Sequence, residues 1–420
     1  MAERLPQIAV AQLGSRRDYD VPVVLEQAGL LAHFFTDAYA GPGSWLGSVL
    51  TGFTPLLRWR GLKRLTERTA AIPSAKVTAF NRLLLPLLRA QYSSIPEQIG
   101  QHLRIADSFQ RAVQRHGLEG AEALYCFDTA AAELFDYGRS QGLFCILEQC
   151  CPTRRSEIAL LEENHRLWPG WEETPYHAGD LAPIIAREDR EFVGADLILA
   201  PSQFVADSLK AAGVPPGKIA ILPYGHDARN PGNRAFLKGE AEAGNEGLKI
   251  LFVGGVGLRK GVPYLLQALQ KLSPLPLRAR FVGGLTIKKG YLQPYTGVAE
   301  FCGQVSRTEV AHFYQWADVF VLPSIYEGSA GVIYEALAAG LPVITTPNAG
   351  SVVQDGVEGF IVPIRDSEAL SQRIEQLARD RDLHRWMSQN ALKRARDFSR
   401  ARYGQRLVAA ITSAYGATGW

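Results

Sequence analysis

Two carboxylates separated by seven residues, Glu327 and Glu335, stand in the stretch Pro323-Ser-Ile-Tyr-Glu-Gly-Ser-Ala-Gly-Val-Ile-Tyr-Glu-Ala-Leu-Ala-Ala-Gly-Leu-Pro-Val-Ile-Thr-Thr346. An ionised carboxylate accepts hydrogens from two hydroxyls, which suits the diols of a sugar or a ribose. Between them, Gly328, Ser329, Ala330 and Gly331 are small enough for backbone amides to approach an anion closely. Amides at the start of a helix also present the favourable end of its dipole to such an anion. A second cluster, Gly254-Gly255-Val-Gly-Leu-Arg259-Lys260-Gly261, offers two cations. Plainer roles stay open for each group alone: Glu327 as a helix cap, Glu335 as a solvated helix residue, and Arg259-Lys260-Gly261 as a basic turn.

The elements that must position these groups are legible as short apolar runs separated by helical lengths. In the first half they are Ile8–Ala11, Ala32–Phe35, Ala123–Phe127, Phe144–Leu147 and Asp196–Ala200. In the second half they are Lys249–Val253, Arg280–Val282, Val298–Cys302, Asp318–Leu322, Pro342–Thr345 and Gly359–Val362. This alternation predicts two open α/β layers with parallel sheets and crossover helices. Phe252-Val-Gly-Gly and Phe281-Val-Gly-Gly repeat one strand-then-glycine ending. The 323–346 stretch then lies at a strand end, where open α/β sheets bind ligands. From about Asp366 the chain is expected to be helical, with apolar spacing through Leu370, Ile374, Leu377 and Trp386, then Leu407, Ala410 and Ile411. Residues 226–247, rich in Gly, Asn, Pro, Glu and Ala, read as an exposed connection.

With 420 residues, 47% of them hydrophobic and 21% charged, the chain has material for two or more cores and is not disordered. A net charge of +3 excludes wholesale nucleic-acid binding. The five cysteines lack C-x-x-C spacing and are expected to be buried thiols in a reducing compartment. Met1-Ala-Glu-Arg opens no signal-peptide pattern, and no run of about 18 apolar residues exists to span a membrane. A cytoplasmic location follows as the expectation. Residues 41–92 differ in composition: eight basic residues stand against Glu67, a net +7, beside Trp45, Phe53 and Trp59. This insertion fits an anionic face, at an inner membrane surface or on an acidic acceptor, and equally a helical insertion whose arginines are solvated. Asp380-Arg-Asp382 formally matches a metal-binding D-x-D but falls in a charged helical stretch and is expected to be solvated. The eight histidines lack H-E-x-x-H spacing, and Gly255-Val-Gly257 continues as Leu-Arg-Lys rather than as a dinucleotide fingerprint.

Glu327-x7-Glu335 with the following Gly-Leu-Pro-Val-Ile resembles the signature of retaining glycosyltransferases of family 4. Residues 254–268, Ala195-Asp-Leu-Ile-Leu-Ala-Pro-Ser202 and Pro223-Tyr-Gly-His-Asp227 agree with it. The resemblance covers residues 190–400 well and the first 190 loosely. It implies a GT-B fold of two facing Rossmann-like domains: residues 1–225 on the acceptor side, a linker at 226–247, residues 248–400 on the donor side, and a helix at 401–420 returning to the first domain.

By the same resemblance, Glu335 holds the ribose of a nucleotide sugar, Glu327 the transferred hexose, and Lys260 with Arg259 the diphosphate. Gly254, Gly255, Gly328, Ser329, Ala330, Gly331, Gln304, Val305 and Gly14 line the donor. Arg16, Arg17, Asp128 and Gln149 are candidate acceptor or sugar contacts. The implied activity is metal-independent transfer from a UDP- or GDP-sugar to a hydroxyl on a small molecule, glycan or lipid-linked acceptor, with no further cofactor. Two departures matter. Gly255 stands where the family usually has an arginine, and Glu148-Gln149-Cys150 stands where members often place a histidine. Both departures keep open a nucleotide-sugar-binding protein without transfer; a second enzyme alternative keeps the fold and changes the reaction, a nucleotide-sugar epimerase that needs no acceptor.

Overall fold

The computed structural model describes residues 5–41, 44, 66, 68–83, 95–173, 178–227 and 247–417. Most of the basic 41–92 segment and of the 226–247 connection lies outside these residues.

Seven strands form the first sheet: β1 (Ile8–Gln12), β2 (Leu31–Thr36), β3 (Val77–Ala79), β4 (Ala123–Phe127), β5 (Phe144–Glu148), β6 (Leu197–Ala200) and β7 (Ile219–Ile221). Their order is β3-β2-β1-β4-β5-β6-β7, with every pairing parallel. The second sheet holds β8 (Leu248–Val253), β9 (Leu277–Val282), β10 (Ala299–Gly303), β11 (Val319–Leu322), β12 (Val343–Thr345) and β13 (Gly359–Ile361). Its order, β10-β9-β8-β11-β12-β13, repeats the first, again all parallel.

The central strands form where the chain is apolar on both faces, as a parallel sheet covered by helices requires. In β1, Ile8 and Val10 face one core while Ala9 and Ala11 face another, the period-two alternation of a strand. The sequence did not reveal β3 and β7. Each is a three-residue edge strand whose residues are only partly buried or exposed, so neither carries an apolar run. The order in which strands are added reverses between β1 and β4 and between β8 and β11, so each sheet has a topological switch point at the C-terminal ends of those strands.

Among the described residues, several contacts join the halves. Helix Arg154–Leu167 ends against the second core: Asn164 Nδ2 donates to Leu258 O at 2.9 Å, and Trp171 is buried among residues of that core. The crossovers at 224–227 and 398–400 run side by side, with His226 N donating to Phe398 O at 2.8 Å and Arg400 N to Asp227 Oδ1 at 3.0 Å. Helix Arg400–Ala417 then returns to the first sheet and buries Tyr403, Leu407 and Ile411 there. Full burial of one such aliphatic side chain is worth about 1.5–3 kcal/mol.

Two details differ from expectation. Trp386 is 47% exposed, because the helix Arg381–Asp397 turns Met387 and Ala391 inward instead. Only Cys126 and Cys145, on central strands, are buried thiols, whereas Cys150, Cys151 and Cys302 lie at strand ends and are half-buried. Asp380 caps that helix, accepting from Leu383 N at 2.9 Å, and Asp382 pairs with Arg385. No helix among the described residues is long and apolar enough to cross a membrane.

Candidate active site

The loop after β11 carries Glu327 and is strapped by the loop after β12. Thr346 Oγ1 donates to Ser324 O at 2.6 Å, Asn348 Nδ2 to Ile325 O at 2.8 Å, and Glu327 N to Asn348 O at 2.8 Å. Glu327 does not cap the helix Gly331–Ala338, whose N-cap is Ala330. Its carboxylate instead receives both cations of the loop after β8: Lys260 Nζ lies 2.5 Å and Arg259 Nη1 3.0 Å from Oε1. Lys260 is 9% exposed. Burial pushes its ammonium below the usual lysine range, against the pull of Glu327. Two cations on one carboxylate leave a net positive charge at the switch point, in partly desolvated surroundings where an anion is favoured.

The backbone of this loop depends on glycine at one position above all. Gly261 has φ 68°, and a Cβ there would lie 1.9 Å from the Pro323 carbonyl oxygen. That close approach brings the β8 loop onto the β11 loop, and Ile325 N donates to Arg259 O at 2.8 Å. Gly254 sits at φ 146° under the Lys260 side chain. A Cβ on Gly255 would meet no atom within 4 Å, so the missing arginine is not a steric requirement of the fold.

Glu335 belongs to the helix Gly331–Ala338 and is 29% exposed. Tyr314 OH donates to its Oε2 at 2.8 Å, and His226 Nε2 lies 4.0 Å from Oε1. Burial, with Glu335 alongside, pushes the Tyr314 phenol well above its ordinary range, so it stays a donor. Ser329 Oγ shares a 2.8 Å hydrogen bond with Tyr334 OH. Gln304 is exposed and Val305 half-buried, both just beyond β10.

Gly328 is where the domains meet. A Cβ there would lie 1.7 Å from the Cys150 carbonyl oxygen of the first domain, and Ser202 Oγ donates to Gly328 O at 2.7 Å. Across this contact Arg16 forms an ion pair with buried Asp128 and donates to Cys150 Sγ at 2.8 Å. Burial raises the Asp128 carboxyl, but Arg16 and Arg154 more than offset that and hold it below the usual carboxylate range. Gly14 (φ 82°) donates from its amide to Asp37 Oδ1 at 2.8 Å.

Two expected contacts are placed elsewhere. Gln149 is fully buried and its amide donates to Cys151 O and to Glu188 Oε1, both at 3.0 Å, so it braces the 150–153 turn rather than facing a sugar. Arg17 is not the free cation its loop position suggests: it is packed between Tyr224 and Tyr403. Arg154, Glu188, Tyr314 and Asn348 carry no motif of their own. Only Ser202, in the Ala-Pro-Ser202 stretch, and His226, in Pro-Tyr-Gly-His226, had a signal in the sequence.

Two parallel Rossmann-like sheets of matching strand order, meeting at their switch points and tied by a returning terminal helix, constitute the GT-B architecture. The solved structure of a sucrose-phosphate synthase from Thermosynechococcus elongatus overlays it with a TM-score of 0.66 at 18% identity, over 99% of this chain and 100% of that one. Anabaena Alr3699/HepE in complex with UDP-glucose gives 0.60 at 15% identity, over 97% and 100%. Residues 247–380 match the family model Glycosyl transferases group 1. The chain is 30% identical over 200 residues to the sulfoquinovosyl transferase SQD2 of Arabidopsis thaliana, covering 45% of this chain and 39% of that protein. It is 30% identical over 222 residues to a D-inositol 3-phosphate glycosyltransferase of Geodermatophilus obscurus, covering 48% and 49%. The chain thus spans about half the length, or less, of these relatives.

Proposed function

We propose that the protein is a retaining, metal-independent glycosyltransferase that moves a hexose from a UDP- or GDP-sugar to a hydroxyl acceptor. The observation that carries this is the convergence of Lys260 and Arg259 on Glu327 at the β8/β11 switch point. An arriving diphosphate competes with Glu327 for both cations, and the carboxylate so released accepts hydrogen bonds from the donor sugar's hydroxyls. Glu335, oriented by Tyr314, receives the ribose diol. Asn348, Thr346 and Ser202 are positioning residues that hold the 324–330 loop.

In the proposed step the C1–O bond to the β-phosphate breaks and the acceptor oxygen forms a new bond to C1 on the same face. The acceptor proton passes to the departing phosphate oxygen, whose charge Lys260, Arg259 and nearby amides stabilise. Glu327, once released by the diphosphate, is occupied as an acceptor for the sugar's hydroxyls, so the acceptor proton is assigned to the donor's own phosphate oxygen. The two relatives add weight to sugar transfer, and the bound UDP-glucose of the Anabaena protein to a uridine nucleotide. Acceptor class and peripheral membrane contact through 41–92 stay part of the proposal, as does a cytoplasmic setting.

A thermal-shift screen against UDP, GDP, ADP and their sugars tests it. One nucleotide family is expected to raise Tm by several degrees, roughly 2–8 °C at saturating ligand, with the shift abolished in Lys260→Ala and Glu335→Ala. No shift with any nucleotide overturns the assignment. Gly255 and the inward-turned Gln149 favour one second reading, a nucleotide-sugar-binding protein without transfer, for which the shift appears but no donor is consumed with any acceptor.

A further inference from the structure

Three consecutive non-glycine residues in the left-handed region, Arg17 (φ 48°), Asp18 (φ 51°) and Tyr19 (φ 63°), close the loop that follows β1. A left-handed turn of L-residues does not support itself, because each Cβ crowds the following carbonyl. Surrounding contacts must over-determine it. From beneath, Gln12 Nε2 donates to Arg16 O at 2.9 Å. From the side, the contacts come from the interdomain crossovers. The Arg17 guanidinium carbon lies 4.1 Å from the Tyr224 ring centroid and 4.4 Å from that of Tyr403. Its Nη2 donates to Tyr403 OH at 2.6 Å, and it pairs with Glu148 at 3.2 Å. Its Nη1 is buried with no hydrogen-bond partner, so the two aromatic faces stand in for lost water.

Tyr224 enters the first crossover and Tyr403 leaves the second. The two crossovers touch between them: a Cβ on Gly225 would lie 2.6 Å from Tyr403 Cβ. An Arg400–Asp20 ion pair fastens the second crossover to the helix that follows the turn. The neighbouring residue faces the opposite way, since Arg16 reaches Asp128 and Cys150, whose carbonyl abuts Gly328. The dipeptide Arg16-Arg17 therefore links the crossovers to the site.

We propose that Arg17 is a positioning residue through which the interdomain crossovers set the geometry of the Gly14–Arg16 loop. Its consequence for turnover rests on the glycosyl-transfer function proposed above, whereas the coupling itself is read by hydrogen exchange of the full chain. Arg17→Met is expected to raise exchange at Leu13–Tyr19 by about tenfold or more while β8 and β11 stay unchanged, and Arg17→Lys, which keeps a cation over the rings, stays within about threefold of the parent. With the nucleotide sugar identified by the screen, Arg17→Met lowers kcat about tenfold and leaves the donor KM within about twofold, because the donor cations lie in the other domain. Exchange unchanged at Leu13–Tyr19, or raised equally in β8 and β11, overturns the coupling. If Arg17→Met does not fold, Tyr403→Phe decides: a rise confined to Leu13–Tyr19 supports it, and no rise overturns it. A parent protein that neither binds nor consumes any nucleotide sugar removes the proposed function and leaves the exchange result standing.

Discussion

The loops after β1 and after β8 occupy equivalent places in two sheets of the same strand order, yet they are shaped by different means. The β8 loop is shaped by its own composition: Gly254 and Gly261 adopt positive φ, and Gly261 lets the chain approach Pro323. The β1 loop has one glycine at positive φ, Gly14, and then three left-handed residues with side chains, held by Gln12, Asp37, Glu148, Tyr224 and Tyr403. The first design is written locally and the second at long range. A conformation that glycine adopts freely needs no distant partner, whereas a left-handed arginine or tyrosine costs roughly 1–2 kcal/mol that tertiary contacts must offset.

Substitutions at the two glycines break this comparison most directly. Gly261→Ala combines a positive φ with a Cβ 1.9 Å from a backbone oxygen and is expected to lose more than about 3 kcal/mol in urea unfolding. Gly14→Ala meets no atom within 4 Å and is expected to lose only about 1–2 kcal/mol, the cost of its φ alone. Equal losses would mean that space at the β11 loop does not constrain the β8 loop.

Between these extremes lies a pH effect confined to the first domain. Burial pushes the Glu188 carboxyl up to about 7 from an ordinary 4.5, against the hydrogen bonds it accepts from Arg154 N and Gln149. Its folded value is raised, so its contribution to stability is complete below the unfolded value and is lost as pH rises through about 7. Unfolding at a series of pH values is expected to show the parent losing roughly 2 kcal/mol more than Glu188→Gln between about pH 5 and pH 8. Parallel curves would assign the pH dependence to other groups, buried Glu191 among them.

The smallest stability effect is expected at Gly255. Gly255→Arg has open space and should change stability by less than about 0.5 kcal/mol. It should tighten nucleotide binding about five- to tenfold by adding a cation beside Lys260. Calorimetric titration with UDP and GDP measures this, and unchanged affinity would show that Arg259 already supplies that charge.

How much of the site was legible follows from the same contrast. Glu327, Glu335, Lys260 and the glycines around them stand at fixed spacing within single strand–loop–helix units, so their order along the chain carries their placement. Arg16 and Asp128 were both visible as candidates, but their pairing spans 112 residues and only the fold makes it. Gln149 shows the limit. Its position after β5 suggested a sugar contact, while burial beside Glu188 turned its amide inward.

The chain's own order of residues determined two parallel α/β layers, the donor-side motifs and the helical ending, because apolar runs, glycines and capping residues act over a few positions. Only the tertiary structure decided the edge strands β3 and β7, the commitment of Glu327 to two cations, the meeting of Gly328 with Cys150, and the burial of Arg17 between two tyrosines. Each of these depends on groups brought together from distant parts of the chain, where contact and desolvation, not local preference, set the outcome.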